Sequence, residues 1–299
     1  MNGGLHTQTQ PDAAQLERVQ LVLIRPRDFL FVEAFREVID SLQQGFTELG
    51  IKCRQNINRI EPGALPIILG AHHLTPEIAA KLPSETILYN LENLVEGYPW
   101  FSEAYLDLLQ RFAVWDFSAK NINILGQRGI TGVTHVPIGY SPVLERIPRI
   151  DEDLDVLFYG IRSPRRQAAL EDLGVAGIRV AALSGVFGPE RDAWIARAKI
   201  VLNLHAAEGG SFEAARVTYL LANAKTVVSE CNRVGEIDAD LATGLVAAPR
   251  SSIVDECRRL LANPDERKQI GARGRDLMRN PSRSICGILG RALAIRKPD

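Results

Sequence analysis

The chain has 299 residues, 46% of them apolar, and its 35 Lys and Arg nearly cancel its 36 Asp and Glu. That length fits two ordinary domains, each able to bury its own core. The balanced charge excludes a global field that would recruit nucleic acid, and no apolar run approaches the roughly 20 residues that span a bilayer. Cys53, Cys231, Cys257 and Cys286 are scattered without metal-ligand spacing and read as reduced thiols of a cytoplasmic protein. Residues 1–17 lack the blocks of a signal peptide and are expected to form a flexible leader.

The first strand is expected at Gln20–Ile24. A polar loop and an amphipathic helix over Phe29–Leu49 follow, closed by Gly50. This unit lacks G-x-G-x-x-G, so nothing in it favours a dinucleotide. Further strands are expected at Leu65–Leu69, Thr86–Tyr89, Ala113–Asp116 and Gly132–Val136. Helices are expected at Pro76–Leu82, capped by Thr75, at Glu103–Arg111, and after the capping residue Ser118. The polar, Pro-containing segment Arg146–Asp153 reads as a linker. Beyond it, strands are expected at Asp155–Tyr159, Ile178–Ala182, Ile200–Leu204, Thr226–Ser229 and Gly244–Ala247. The intervening helices cover Gln167–Leu173, Arg191–Ala198 and Phe212–Asn223. Helices at Ile253–Leu261 and Asp265–Asn280 follow, the second introduced by Asn263-Pro264. A helical tail ends the chain. The fold class is therefore α/β. It has two Rossmann-like parallel-sheet domains facing a cleft, with an N-terminal domain over 18–150 and a C-terminal domain over 151–280. The tail, 281–299, is expected to cross back to the first domain.

The most informative stretch is KIVLNLHAAEGGSFEAARVTYLLANAKTVVSE, Lys199–Glu230. It reads as strand, loop, helix and strand, one step of a parallel sheet. Its loop lies where open α/β sheets bind ligands and carries His205, Glu208 and Glu213. Backbone N–H groups leading into a helix N-terminus favour an anion there. The combination implies a site for a phosphorylated ligand.

The second half also resembles a known family. Gly235-Glu236, Thr243-Gly244-Leu245-Val246, Pro249, Leu261-Ala262-Asn263-Pro264, Arg267, Gly271 and Gly274-Arg275 follow the order and spacing of the C-terminal lobe of GT-B glycosyltransferases. The resemblance covers roughly 155–280 and extends to the small bacterial group 1 and CgeB-like members. It implies transfer of a sugar from a nucleoside-diphosphate sugar, bound mainly by the C-terminal lobe, to a hydroxyl on a glycan, lipid-linked or small-molecule acceptor. It further implies that the reaction needs no metal or resident cofactor and releases a nucleoside diphosphate. One departure stands out. The retaining branch carries two Glu residues separated by seven, and those positions here are Ser211 and Tyr219. Stereochemistry is therefore not carried over.

In this setting the loop Gly160-Ile161-Arg162-Ser163-Pro164-Arg165-Arg166 is where the family puts a cation against the diphosphate. Arg165 or Arg166 is the expected residue, with Arg162 a further candidate. Basic residues at a helix start are unfavourable unless an anion is near. Glu213 is expected on the ribose or as a helix cap, and Arg216 on phosphate or paired with Glu213. Tyr219 is expected against the donor or in the core. His205 is a donor contact or a buried structural histidine. Glu230, directly after an apolar strand, needs either a ligand hydroxyl or an arginine. Glu236 is a weaker donor candidate. Glu208 could face the sugar. In the N-terminal half, His72, His73 and Glu92 follow strands and are candidates for the general base of an inverting enzyme. A non-catalytic partner subunit that keeps the donor pocket, and a sugar-nucleotide epimerase of similar architecture, are the rival readings.

Overall fold

The computed structural model describes residues 18–27, 29–98, 100–207 and 212–294. These described residues form two compact units, those up to 139 together with those from 284 onward, and those from 140 to 283. The segment expected as a linker, Arg146–Asp153, falls inside the second unit.

The first unit is built on six parallel strands. These are β1 (Arg18–Leu23), β2 (Lys52–Ile57), β3 (Leu65–Leu69), β4 (Ile87–Asn90), β5 (Ala113–Asp116) and β6 (Thr134–His135), in the order β2-β1-β3-β4-β5-β6. β3 is buried along its whole length, as a central parallel strand covered on both faces must be. β2 was not expected from the sequence. Its residues, KCRQNI, are mostly polar because it is an edge strand, pairing with β1 from Arg18↔Lys52 to Leu23↔Ile57. The helices are α1 (Arg36–Glu48), α2 (Pro76–Ala79), α3 (Glu103–Arg111) and α4 (Ala119–Gln127). The single helix expected over 29–49 instead begins as a 3-10 turn, Leu30–Phe35, before α1. Ser118 caps α4 by accepting from the Asn121 N–H, whereas Thr75 makes no side-chain cap to α2.

The second unit has five parallel strands in the order β11-β10-β9-β7-β8. They are β7 (Leu154–Tyr159), β8 (Val180–Leu183), β9 (Ala198–Asn203), β10 (Val227–Glu230) and β11 (Val246–Ala248). Its helices are α5 (Pro164–Val175), α6 (Gly188–Arg197), α7 (Ala214–Ala222), α8 (Ile253–Ala262) and α9 (Pro264–Met278). The sheet has an apolar cluster on each face. One is centred on Leu157, Val201, Leu220 and Val227, the other on Phe158, Leu202, Val228 and Ile253. Gly244, Gly271 and Gly274, quoted above for the family resemblance, have a packing role. A Cβ on Gly274 would lie 2.8 Å from Leu221 and 2.9 Å from the Gly244 carbonyl oxygen. One on Gly271 would collide with the Ala224 carbonyl oxygen.

The last helix, α10 (Ile285–Ala292), belongs to the first unit and packs on α1. Gly45 makes the contact possible, since a Cβ there would stand 2.9 Å from Leu289.

Candidate active site

In the second unit β8 and β9 lie on opposite sides of β7, so the connections leave in opposite directions. A crevice between the carboxyl ends of β7 and β9 follows from that order, and such crevices are where open α/β sheets take ligands. Gly160 follows β7 with φ +139°, a conformation that favours glycine. Absence of a side chain there makes room for Arg216, whose Nη2 would be 2.7 Å from a Cβ on Gly160. Arg216 reaches from α7, donates from Nη1 to Asn203 Oδ1 at 3.0 Å and covers the Tyr159 ring at 5.1 Å. Gly160→Ala is expected to displace this guanidinium and to weaken binding of a phosphorylated ligand at this crevice about tenfold or more, the loss of one charged hydrogen-bond contact. Titration calorimetry of the variant checks it.

The first turn of α5 brings the next two arginines. Ser163 caps the helix by accepting from the Arg166 N–H, and Pro164 occupies its first position. Arg166 turns inward and is buried. Its Nε and Nη2 donate to the Leu204 carbonyl at 2.9 and 2.8 Å, Nη1 to the Ile161 carbonyl at 2.9 Å, and Nη2 to Glu213 Oε1 at 2.9 Å. Of the two arginines expected at the diphosphate, this one is committed to stitching α5 to the end of β9. Arg165 makes a two-pronged pair with Glu230, Nη1 donating to Oε2 at 2.7 Å and Nη2 to Oε1. A quarter of the Arg165 side chain stays exposed, and that of Glu230 is wholly buried. Arg162 is exposed and reaches only the Ala182 carbonyl, at 3.4 Å.

The expectation that a basic helix start signals a bound anion is therefore corrected in part. The anions beside Arg165 and Arg166 are the chain's own Glu230 and Glu213. Glu230 also accepts from Asn232 Nδ2 at 2.6 Å and from the His205 N–H at 2.9 Å. Burial pushes its carboxyl up, but the bonds from Arg165, Asn232 and His205 outweigh that and hold it near about 2. Its acceptor sites are filled from within, so Glu230 orients Arg165 and is not offered to a ligand hydroxyl. Glu213 sits at the N-cap of α7 but makes no side-chain cap. Burial raises its carboxyl, yet Arg216 and Arg166 bring it below the usual range, and 39% of the side chain remains open.

His205 follows β9 and is 1% exposed. Among the described residues neither ring nitrogen has a hydrogen-bond partner, and Nδ1 lies 3.6 Å from both Glu230 Oε1 and Glu236 Oε1. Glu236 in turn accepts from the Asn232 and Arg233 N–H groups at 2.6 and 3.2 Å, closing the loop after β10. Tyr219 is not part of this group. It lies buried, with its hydroxyl donating to Asp192 at 2.8 Å and accepting from Arg146 at 3.2 Å. Glu208 falls outside the described residues. Asn203 and Asn232 were not anticipated. Each is a polar side chain at or just past the end of a buried strand, which was the available signal.

The first unit has its own switch of strand order, between β1 and β3. His72 and His73 follow β3, and Glu92 follows β4. The structure brings His72 Nε2 to 3.7 Å from Glu92 Oε1. Both imidazoles pack with Trp100, at ring-centre distances of 4.7 and 5.2 Å, and Phe29 closes on His73 at 4.9 Å. Burial and the neighbouring His73 press the His72 pKa down to about 3, so it is a neutral imidazole at physiological pH. Asn90 is spent on the fold, donating to Asp116 Oδ2 at 2.7 Å and accepting from Tyr105. Trp100 belongs to an aromatic run, with Tyr98, Phe101 and Tyr105, that the sequence offers either for stacking on sugar rings or for the core side of a helix, whereas Phe29 joined this group without a sequence signal.

Two parallel α/β units of this strand order have the fold seen in GT-B glycosyltransferases. Residues 143–281 match the family model described as Glycosyl transferase-like, and the second unit is a domain of that kind. That match does not distinguish a CgeB-like subgroup. No curated protein matches the sequence. Among solved structures, HepE of Anabaena in complex with UDP-glucose is similar at 12% identity and TM-score 0.59, over 93% of this chain and 99% of that one. WaaG, a glycosyltransferase involved in lipopolysaccharide biosynthesis, is similar at 13% identity and TM-score 0.55, over 94% and 100%. S. aureus TarM is similar at 10% identity and TM-score 0.54. There 77% of this chain is covered, and it spans only 55% of TarM. At these identities the likeness is one of fold.

Proposed function

We propose that the protein is a cytoplasmic glycosyltransferase that takes a nucleoside-diphosphate sugar in the second unit and passes the sugar to a hydroxyl acceptor without a metal. The observation that carries this is the exposed edge of Arg165, at the start of α5, together with the Arg216 guanidinium that α7 lays against Gly160 and Asn203 at the ends of β7 and β9. Departure of a diphosphate builds negative charge, and fixed guanidinium groups and helix N-termini stabilise it without reorganising. Glu213, with its open carboxylate edge, is assigned to the donor ribose in place of the missing Glu at Tyr219. Arg166 and Glu230 act by holding Glu213 and Arg165. His72 and Glu92 are proposed on the acceptor side. With its pKa pressed down to about 3, His72 is a weak base, so its part is to hydrogen-bond an acceptor hydroxyl, and the Glu92 carboxylate is the proton acceptor of the two.

Nucleoside-diphosphate sugars are expected to raise the melting midpoint, because they bind the native state alone. Screening UDP-, GDP- and TDP-sugars by thermal shift, then analysing products with simple hydroxyl acceptors, tests the proposal. No shift with any of them would sink it. Added EDTA is expected to leave turnover unchanged; a loss restored by Mg²⁺ would overturn the metal-free part. A donor-binding subunit without turnover is the second reading, favoured by the burial of Tyr219 where the retaining branch has its ribose carboxylate. Binding of a sugar nucleotide with no product from any acceptor would select it.

A further inference from the structure

Charged side chains gather around the crevice, and a buried histidine stands among them. Among the described residues, the positive side chains there are Arg165, Arg166 and Arg216, and the negative ones are Glu213, Glu230 and Glu236. The three arginines balance the three carboxylates. His205 lies in their midst, 1% exposed, with both ring nitrogens lacking hydrogen-bond partners. The groups that bear on it are Glu230 from β10, Glu236 from the following loop, Arg165 from α5 and Glu213 from α7. An orphaned buried donor or acceptor costs stability, so its retention in a ligand crevice calls for a use.

A diphosphate entering this balanced group adds net negative charge. Arg165 must then share its guanidinium between Glu230 and the phosphate oxygens. Glu230 and Glu236 are left with less positive charge beside them, in a place where water cannot replace it. Arginines cannot gain a proton, and Glu230, held low by Arg165, Asn232 and the His205 N–H, does not take one near neutral pH. The imidazole between them can. Its Nδ1 already stands 3.6 Å from one oxygen of each carboxylate. A small closing movement turns those separations into charge-assisted hydrogen bonds.

We infer that His205 takes up a proton when the sugar-nucleotide diphosphate binds, so that donor affinity is linked to pH through this buried histidine. The inference rests on the donor reading above. In the free protein, burial outweighs Glu230 and Glu236 and lowers the His205 pKa, which keeps the ring neutral. The bound state raises it. By linkage, binding is strongest at the acid end of the working range and is lost as pH rises through the bound-state pKa.

The test uses the whole protein and UDP-glucose, whose diphosphate is esterified at both ends and has no free terminal phosphate to titrate near neutrality. Calorimetric titrations near pH 7.5 in phosphate, HEPES and Tris, which differ in heat of ionisation, count the protons taken up. Uptake approaching about one proton is expected, with Kd rising by up to about tenfold per pH unit across the linked range. In His205→Gln the uptake and the pH slope are expected to vanish while binding persists. Should that variant misfold, imidazole NMR of the wild type decides, since only one of five histidines should become imidazolium on adding UDP-glucose. Binding heat that is the same in all three buffers, or uptake that survives in His205→Gln, overturns the inference and leaves the donor reading intact. If neither UDP-glucose nor GDP-mannose nor TDP-glucose binds, the donor reading itself has failed and the inference falls with it.

Discussion

Replacing Arg165 with Ala is expected to cost about 3–5 kcal/mol of stability and to abolish measurable transfer. The stability loss does not come from the missing arginine contacts alone. Glu230 is left as a wholly buried carboxylate without its cation, and breaking one half of such a pair is far more harmful than removing both. A second line of argument gives a similar size. Glu230 is held near about 2 in the fold, against about 4.3 for an unperturbed glutamate, and such a gap is worth about 3 kcal/mol. Because the folded value is the lower one, that stabilisation is present above the unfolded value and disappears as pH falls from about 4.3 toward 2. The wild type should therefore lose stability over that acid window, and Arg165→Ala/Glu230→Gln should lose less. Urea unfolding of the wild type and of the single and double variants at pH 7 and near pH 2.5 checks this. If Arg165→Ala alone is as stable as the double variant, the pairing has no energetic weight. Arg165→Lys should rescue stability in part and transfer poorly, since an ammonium cannot reproduce the two-pronged geometry.

The second large effect is purely steric. Gly271→Ala in α9 puts a methyl group into the Ala224 carbonyl oxygen, a backbone atom that cannot swing away. Overpacking of this kind is expected to cost about 3 kcal/mol or more and to lower the melting midpoint by about 10 °C. The control is Gly174→Ala in α5, where a Cβ meets nothing within 4 Å. There the change is expected to be neutral or to stabilise by about 0.5–1 kcal/mol, because alanine is the better helix former. Thermal melts of both variants decide whether close helix approach explains the glycines of this region. Equal midpoints would mean that the backbone yields at Gly271 without cost.

The elements most visible in the sequence were those buried on both faces. Leu65–Leu69, Ile87–Asn90 and the Lys199–Glu230 unit are apolar runs bounded by polar or glycine-bearing loops, and a parallel sheet requires that pattern. β2 was invisible for the complementary reason, since an edge strand keeps solvent on one side and needs no apolar run. The site was legible in composition but not in division of labour. Arg165 and Arg166 are neighbours with the same side chain, and only the direction each takes off the first turn of α5 separates an arginine with an open edge from one consumed by Leu204, Ile161 and Glu213. Tyr219 shares a helix with Arg216 yet turns into the core against Asp192, an outcome set by neighbours 27 residues away in the chain.

By itself the sequence determined that this is a two-sheet α/β protein, because strand burial is a local property of the chain. Tertiary structure alone decided which charges meet. The Arg165–Glu230 pair spans 65 residues and Arg166–Glu213 spans 47, and partners so far apart are selected by strand order, not by spacing. That same order leaves His205 beside the carboxylates of Glu230 and Glu236 and, among the described residues, without a hydrogen-bond partner for its ring, a condition that no local pattern encodes.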